Sequence, residues 1–195
     1  MSGNLPEELM DVDTEDLFGD DEGEEDVEPE ETEQVIVFEF GGAPYAAPVL
    51  AVSQVVEPSS MTRIPRTSRA IDGVVDLRGD IVAVINPWVH LDIPGDPGAW
   101  ADQYLAVFTE TEDEQPLGIR IDDVIGVETY PVSQVVRDVG PEDEGPHTAN
   151  PLVEGVIRRE EDGEVTERVP LLDTTAVVAA SGQHPRAGSG ARPGG

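Results

Sequence analysis

The chain has 195 residues, enough for one ordinary domain or two small ones sharing a core. Its formal net charge is −31, with 42 acidic residues against 11 basic ones; every basic residue is Arg, and there is no Cys. That balance excludes disulfides, thiolate-held zinc, iron–sulfur clusters and thiol catalysis, and it opposes binding to nucleic-acid phosphates or anionic membrane surfaces.

Residues 1–34 carry 16 acids and no base, and they hold too few apolar side chains to bury a core, so a disordered acidic leader is expected. Its apolar spots (Leu5, Leu9 and Met10, then Leu17 and Phe18) read as incidental to a solvated tail; the alternative is a short docking segment. From Val35 the pattern changes. Val35 to Phe40 is β-branched and aromatic and reads as a strand, closed by a turn at Gly41-Gly42. Tyr45 to Val56 reads as a bent strand, with Pro48 marking an edge or a bulge. Glu57 to Ser60 is a loop. Ile81 to Ile85 is a continuous apolar run, expected to be buried on both faces. Gly95 to Gly98 breaks the chain near its middle. Strands resume at Tyr104–Phe108, Leu117–Ile121, Val124–Val127, Leu152–Ile157 and Val165–Leu172. One helix is expected, Thr174–Ala180, with Asp173 as its N-cap. Residues 181–195 are rich in Gly, Pro and Arg and read as a flexible tail.

The acidity is not confined to the leader. Residues 35–180 hold 26 acids against 9 Arg, a net of −17. Such a surface stays hydrated at high ionic strength and repels itself in dilute buffer, which points to a halophilic protein. No basic-then-apolar start resembles a signal peptide, and no apolar run approaches the roughly 18–20 residues needed to span a bilayer. A cytoplasmic protein without membrane insertion is expected.

The two halves resemble each other. Tyr45 to Val55 lies on Leu117 to Val127, pairing Ala46 with Gly118, Val49 with Ile121, Val52 with Val124 and Val55 with Val127. Asp72-Gly73-Val74-Val75 matches Glu154-Gly155-Val156-Ile157, and Val82 to Asn86 matches Val169 to Asp173. Two copies of a small strand-rich unit follow, each too short for a core of its own. The expected domain covers 35–180, with a first subdomain at about 35–95 and a second at about 100–180.

Catalytic chemistry has no positive sign. His90, His147 and His184 have no metal-ligand spacing. The chain lacks a nucleophile elbow, a phosphate-binding loop and a dinucleotide fingerprint, and carboxylate pairs such as Asp122-Asp123 are expected by chance in so acidic a chain. A metal-dependent hydrolase is the remote alternative. No cofactor and no metal is expected. One residue stands out: Arg78, beside Gly79 in a hairpin-like turn between apolar runs. It either pairs with Asp76 or Asp80, or it offers a directional anchor to a partner's carboxylates or carbonyls.

Phe38-x-Phe40-Gly41, Tyr45-Ala46, Val52-x-x-Val55, Thr62-Arg63-Ile64-Pro65, Gly73-Val74-x-Asp76-Leu77-Arg78-Gly79 and Ile81 to Ile85 together resemble the CheW family of chemotaxis coupling proteins, over about Val35 to Ala180. Asp76 stands in place of the usual Asn, Ala83 in place of a usual Pro and Asn86 in place of a common Asp. The resemblance implies an all-β fold of two packed five-stranded SH3-like barrels. It implies a non-enzymatic scaffold that joins the cytoplasmic tips of methyl-accepting chemoreceptors to a chemotaxis histidine kinase. Carried over position by position, Val52, Gln54, Gly73 and Arg78 are the receptor-side candidates, and Val124, Gly126 and Gly155 the kinase-side ones. An adaptor of a different receptor–kinase array fits the same residues.

Overall fold

A computed structural model describes residues 30–57, 60–91, 93–108, 116–145 and 147–181. The expected leader up to residue 29 and the expected tail after Ser181 lie outside them. In chain order the strands are β1 (Thr32–Phe40), β2 (Ala43–Pro48), β3 (Val52–Val56), β4 (Ile71–Leu77), β5 (Asp80–Ile85), β6 (Tyr104–Phe108), β7 (Leu117–Ile121), β8 (Asp123–Pro131), β9 (Val135–Val136), β10 (Val153–Glu161) and β11 (Glu164–Leu172). The helix α1 (Thr174–Ala180) follows, capped by the Asp173 carboxylate, which accepts from the Ala176 N–H at 2.9 Å. β1 starts at Thr32, inside the expected leader. Thr32, Glu33 and Gln34 continue the ladder with β8, and Glu33 takes a two-toothed ion pair from Arg137 at 2.8 and 3.0 Å.

The strands form two sheets, β8-β1-β2-β11-β10-β9 and β3-β6-β7-β5-β4. The first has six strands where five were expected. β8 turns through a short 3-10 segment, Val132–Gln134, and its continuation β9 pairs with the far strand β10, so one bent strand borders both sides. The β1–β2, β4–β5 and β10–β11 hairpins each close through two residues with positive φ: Gly41-Gly42 (57° and 82°), Arg78-Gly79 (59° and 102°) and Asp162-Gly163 (55° and 80°). Turns of this kind twist with the strands they join, which is why these positions hold Gly, Asp or an Arg backed by Gly.

The internal repeat is real at the level of hydrogen-bond register. In the front repeat (β1 to β5), Val52 pairs with Phe108, Gln54 with Val107 and Val55 with Ala106. In the rear repeat (β6, β7, β8, β10, β11), Val124 pairs with Phe38, Gly126 with Val37 and Val127 with Ile36. Both ladders skip a residue at the same point, after Val52 and after Val124. The parallel contacts also match, Val84 with Gly118 and Leu171 with Ala46.

The sheets do not divide where the subdomains were expected to, at 35–95 and 100–180. Each takes the first hairpin of one repeat and the last strands of the other. β1 and β2 sit with β8, β10 and β11, while β6 and β7 sit with β3, β4 and β5. The physical reason is that the exchanged strands are apolar on both faces. Val35 and Val37 line the interior of the six-stranded sheet with Ala46, Ile157, Val169 and Leu171. Their neighbours Ile36 and Phe38 face the seam between the sheets, with Phe40, Tyr45, Ile85, Phe108, Ile119, Leu172 and Val177. The matching residues Leu105 and Val107 line the other barrel with Val75, Val82 and Val84. A strand with period-two alternation between two apolar compartments reads as a continuous apolar run. Ile81 departs from that reading: it is 47 % exposed, and burial on both faces begins at Val82.

Candidate protein-binding faces

Six of the seven residues singled out in the sequence fall at positions that the pseudo-symmetry makes equivalent, and the seventh, Arg78, stands at a hairpin tip. Val52 and Gln54 lie on β3, one border of the five-stranded sheet, and Gly73 lies on β4, the other border. Val124 and Gly126 lie on β8 and Gly155 on β10. By register, Val52 matches Val124, Gln54 matches Gly126 and Gly73 matches Gly155. Residues assigned to two different partners thus occupy equivalent positions of the repeat. The hairpin tips beside these faces carry opposite charge, Arg78-Gly79 on one and Asp162-Gly163 on the other.

Each residue has a local reason for its state. Val52 and Val124 are half-buried against the seam core, so their side chains serve packing as well as surface. Gln54 is exposed. Gly73 and Gly155 are buried where another backbone passes close. A Cβ at Gly73 would lie 2.5 Å from the Thr62 carbonyl, and one at Gly155 would lie 2.7 Å from that of Val136. Both glycines are required by close backbone approach. Gly126 has open space around it but a φ of 149°, which side chains resist.

Arg78 is exposed at the tip of the β4–β5 hairpin, with no hydrogen bond or ion pair among the described residues. The alternative of a simple surface pair with Asp76 is not taken. The Asp76 carboxylate accepts from the Gly79 N–H at 2.7 Å and tightens the turn instead. A guanidinium carried on a tightened turn and left unpaired is a ready donor for an incoming acceptor.

Sequence reasoning missed two features. The first is a buried arginine that ties the two sheets together. Arg120 on β7 is 6 % exposed and lies between the rings of Trp88 and Trp100, each centroid 5.8 Å from its guanidinium carbon. It pairs with Asp72, donates to Gln103 at 2.7 Å and to the Gly98 carbonyl at 3.0 Å. Gln103 donates on to Asp122 at 2.6 Å, and Asp122 accepts from the Gly41 N–H at 2.6 Å. The network runs from the five-stranded sheet to the β1–β2 turn of the other. An Arg inside the apolar run Leu117–Ile121 was its only sequence signal. The second is the outer side of β8, where Ile125 and Val127 are 50 % and 58 % exposed. Their counterparts on β3 are Ser53 and Val55; the Ser53 hydroxyl donates to the Val107 carbonyl at 3.1 Å. At the bulge, one border carries a hydrogen-bonded hydroxyl and the other an exposed apolar side chain.

Among the described residues no cluster of His, Asp or Glu is arranged to hold a metal ion, and no helix is long and apolar enough to cross a membrane. His90 is half-buried and burial lowers its pKa; His147 meets Tyr45 edge to face at 5.8 Å. His184 lies outside the described residues. Several charged side chains elsewhere are paired structurally. The Asp143 carboxylate is fully covered and held by Arg158 at 2.5 and 2.9 Å and by Arg168 at 3.4 Å. Burial works against the charge of Arg159, but Tyr130, Glu167 and Glu128 outweigh it and raise its pKa.

A family model described as the CheW-like domain matches residues 34–181. Chemotaxis protein CheW of Helicobacter pylori (strain ATCC 700392 / 26695) is 30% identical over 100 residues, which are 51% of this chain. The match spans 59% of that relative, less than two thirds of its length. Among solved structures, the crystal structure of scaffolding protein TtCheW from Thermoanaerobacter tengcongensis aligns with a TM-score of 0.61 at 23% identity. That alignment covers 75% of this chain and 88% of the other, and it establishes the fold as two SH3-like barrels.

Proposed function

The chain belongs to the CheW-like domain family, and from that premise we propose that it is a chemotaxis adaptor. It couples the cytoplasmic tips of chemoreceptors to the chemotaxis histidine kinase, and it works in the cytoplasm at membrane-bound receptor arrays. The observation that carries this reading is the extent of the family match, residues 34–181, which spans both barrels and α1. In this reading the protein does no covalent chemistry and needs no cofactor. Its mechanism is geometric. Two barrels that share strands and one apolar seam hold two partners at a fixed spacing, so that a change in one biases the state of the other.

The receptor side is assigned to Val52, Gln54, Gly73 and Arg78. Arg78 supplies the directional contact, while Gly73 keeps the β4 backbone against Thr62 and so sets the shape of the face. The kinase side is assigned to Val124, Gly126 and Gly155, with the exposed Ile125 and Val127 as its apolar centre. The net charge of −31, with Arg as the sole cation, supports work in concentrated salt. Co-precipitation in multimolar KCl tests the reading: receptor tips and kinase are both retained. Retention of neither overturns it, and retention of a different receptor–kinase pair redirects it to another array.

A further inference from the structure

The β3–β4 connection is an island of positive charge in an acidic protein. Residues 58–71 carry Arg63, Arg66 and Arg69 and no acid, while residues 35–180 as a whole have a net charge of −17. All three arginines are exposed. Carboxylates are abundant, and Arg120, Arg137, Arg158, Arg159 and Arg168 each engage one or more of them. Arg63, Arg66 and Arg69 make no hydrogen bond or ion pair among the described residues. The acid that follows them, Asp72, is already committed to Arg120 and to the Asn86 amide at 3.0 Å.

The segment is also held in place. Thr62 exchanges both backbone hydrogen bonds with Val74, at 2.8 Å each, which fixes its start against β4. The Thr67 hydroxyl donates to the Ile64 carbonyl at 3.0 Å, and the Ile71 N–H donates to the Ser68 carbonyl at 3.1 Å. Pro65 opens a turn whose left-handed position is filled by Arg66, with φ of 66°. Beside the arginines, Ile64 is 42 % exposed. Several guanidinium groups on an anchored loop favour planar carboxylate acceptors.

We propose that the Arg63, Arg66 and Arg69 loop is a docking surface for a short carboxylate-rich segment of a partner protein. The surrounding acidity selects against extended polyanions. A long anionic surface would press against the acidic remainder of the molecule, whereas a short acidic peptide fits within the island. The loop meets the receptor assignment at Gly73, which packs on Thr62, but it is separate from Arg78. The loop runs from Thr62 toward Ile71, whereas Arg78 lies beyond the opposite end of β4, about 17 Å from Gly73 at strand spacing.

The test uses the full chain and a fluorescein-labelled peptide of alternating Glu and Asp, read by anisotropy across a KCl series. The wild type binds, and affinity rises as salt falls. The triple variant Arg63→Gln/Arg66→Gln/Arg69→Gln binds about tenfold more weakly, the sum of three exposed charge pairs, with an unchanged melting temperature. The corresponding triple Lys variant falls between the two, and Arg78→Ala loses less affinity than the Gln triple. Equal binding by the Gln triple, equal loss in Arg78→Ala, or no wild-type affinity above that for a neutral Gly-Ser peptide overturns the proposal. So does arginine-dependent capture by phosphatidylserine vesicles without peptide binding, which assigns the loop to a lipid surface.

Discussion

Three charged residues carry different burdens, and their burial separates them. Arg78 is exposed and supports nothing in the fold, so Arg78→Ala changes unfolding free energy by no more than about 0.5 kcal/mol. It reduces retention of receptor tips, which side-by-side denaturation and pull-down would show. Arg120 is the converse. It is 6 % exposed, caged by two tryptophans and bonded to Asp72, Gln103 and Gly98. Arg120→Ala leaves the Asp72 carboxylate and the Gln103 carbonyl short of a donor and costs about 3–5 kcal/mol in denaturant titration. Asp143 sets a pH dependence. The Arg158 guanidinium holds its carboxyl below the ordinary value of 3.8. Its stabilisation is therefore present above the unfolded value and lost as pH falls through the folded one. Stability of the wild type falls below about pH 4, and Asp143→Asn flattens that limb of the curve while lowering the plateau. The place of Arg78 on a hairpin turn was legible because it stands beside Gly79 between two apolar runs. The Arg120 cage was not, because its partners at 72, 98 and 103 are brought together only by the barrel.

At the scale of elements, the two border strands differ in what they expose. β3 and β8 hold the same register and the same bulge, yet Ser53 on one hydrogen-bonds to Val107 while Ile125 on the other faces outward. Exposed apolar side chains on a strand border invite a partner. Ile125→Asp combined with Val127→Asp abolishes kinase retention and leaves receptor retention and melting temperature unchanged; equal loss of both partners contradicts the split between faces. The strands themselves were readable. Val35 to Phe40, Tyr104 to Phe108 and Leu117 to Ile121 announce themselves as apolar runs, and Asp173 announces α1. Their partners were not. Alternation tells that Val37 and Phe38 face opposite ways, but not that one faces a barrel interior and the other a seam. Nor did the pattern show that Ile125 and Val127 face outward, since an apolar residue in a strand reads as buried.

At the scale of the molecule, the exchanged hairpins make the barrels inseparable. Pulling one from the other would expose Phe38, Phe40, Phe108 and Ile119 together, so unfolding is expected as one transition. That is what an adaptor of fixed spacing requires. The repeat was visible in paired residues such as Gly73 and Gly155, and register confirms it; the exchange was invisible because sequence similarity carries no information on which sheet a strand joins. Net charge acts at this scale too. Self-repulsion among 42 acids falls as salt rises, so the melting temperature rises with KCl, in contrast to the flat or falling response of a protein held by surface ion pairs. The central claim is that the two faces hold two partners at once. Sedimentation of the purified chain with receptor tips and kinase in multimolar KCl tests it most directly. The account predicts one species containing all three, with receptor lost in Arg78→Ala and kinase lost in the Ile125, Val127 double variant. Two binary complexes that compete for the chain would contradict it.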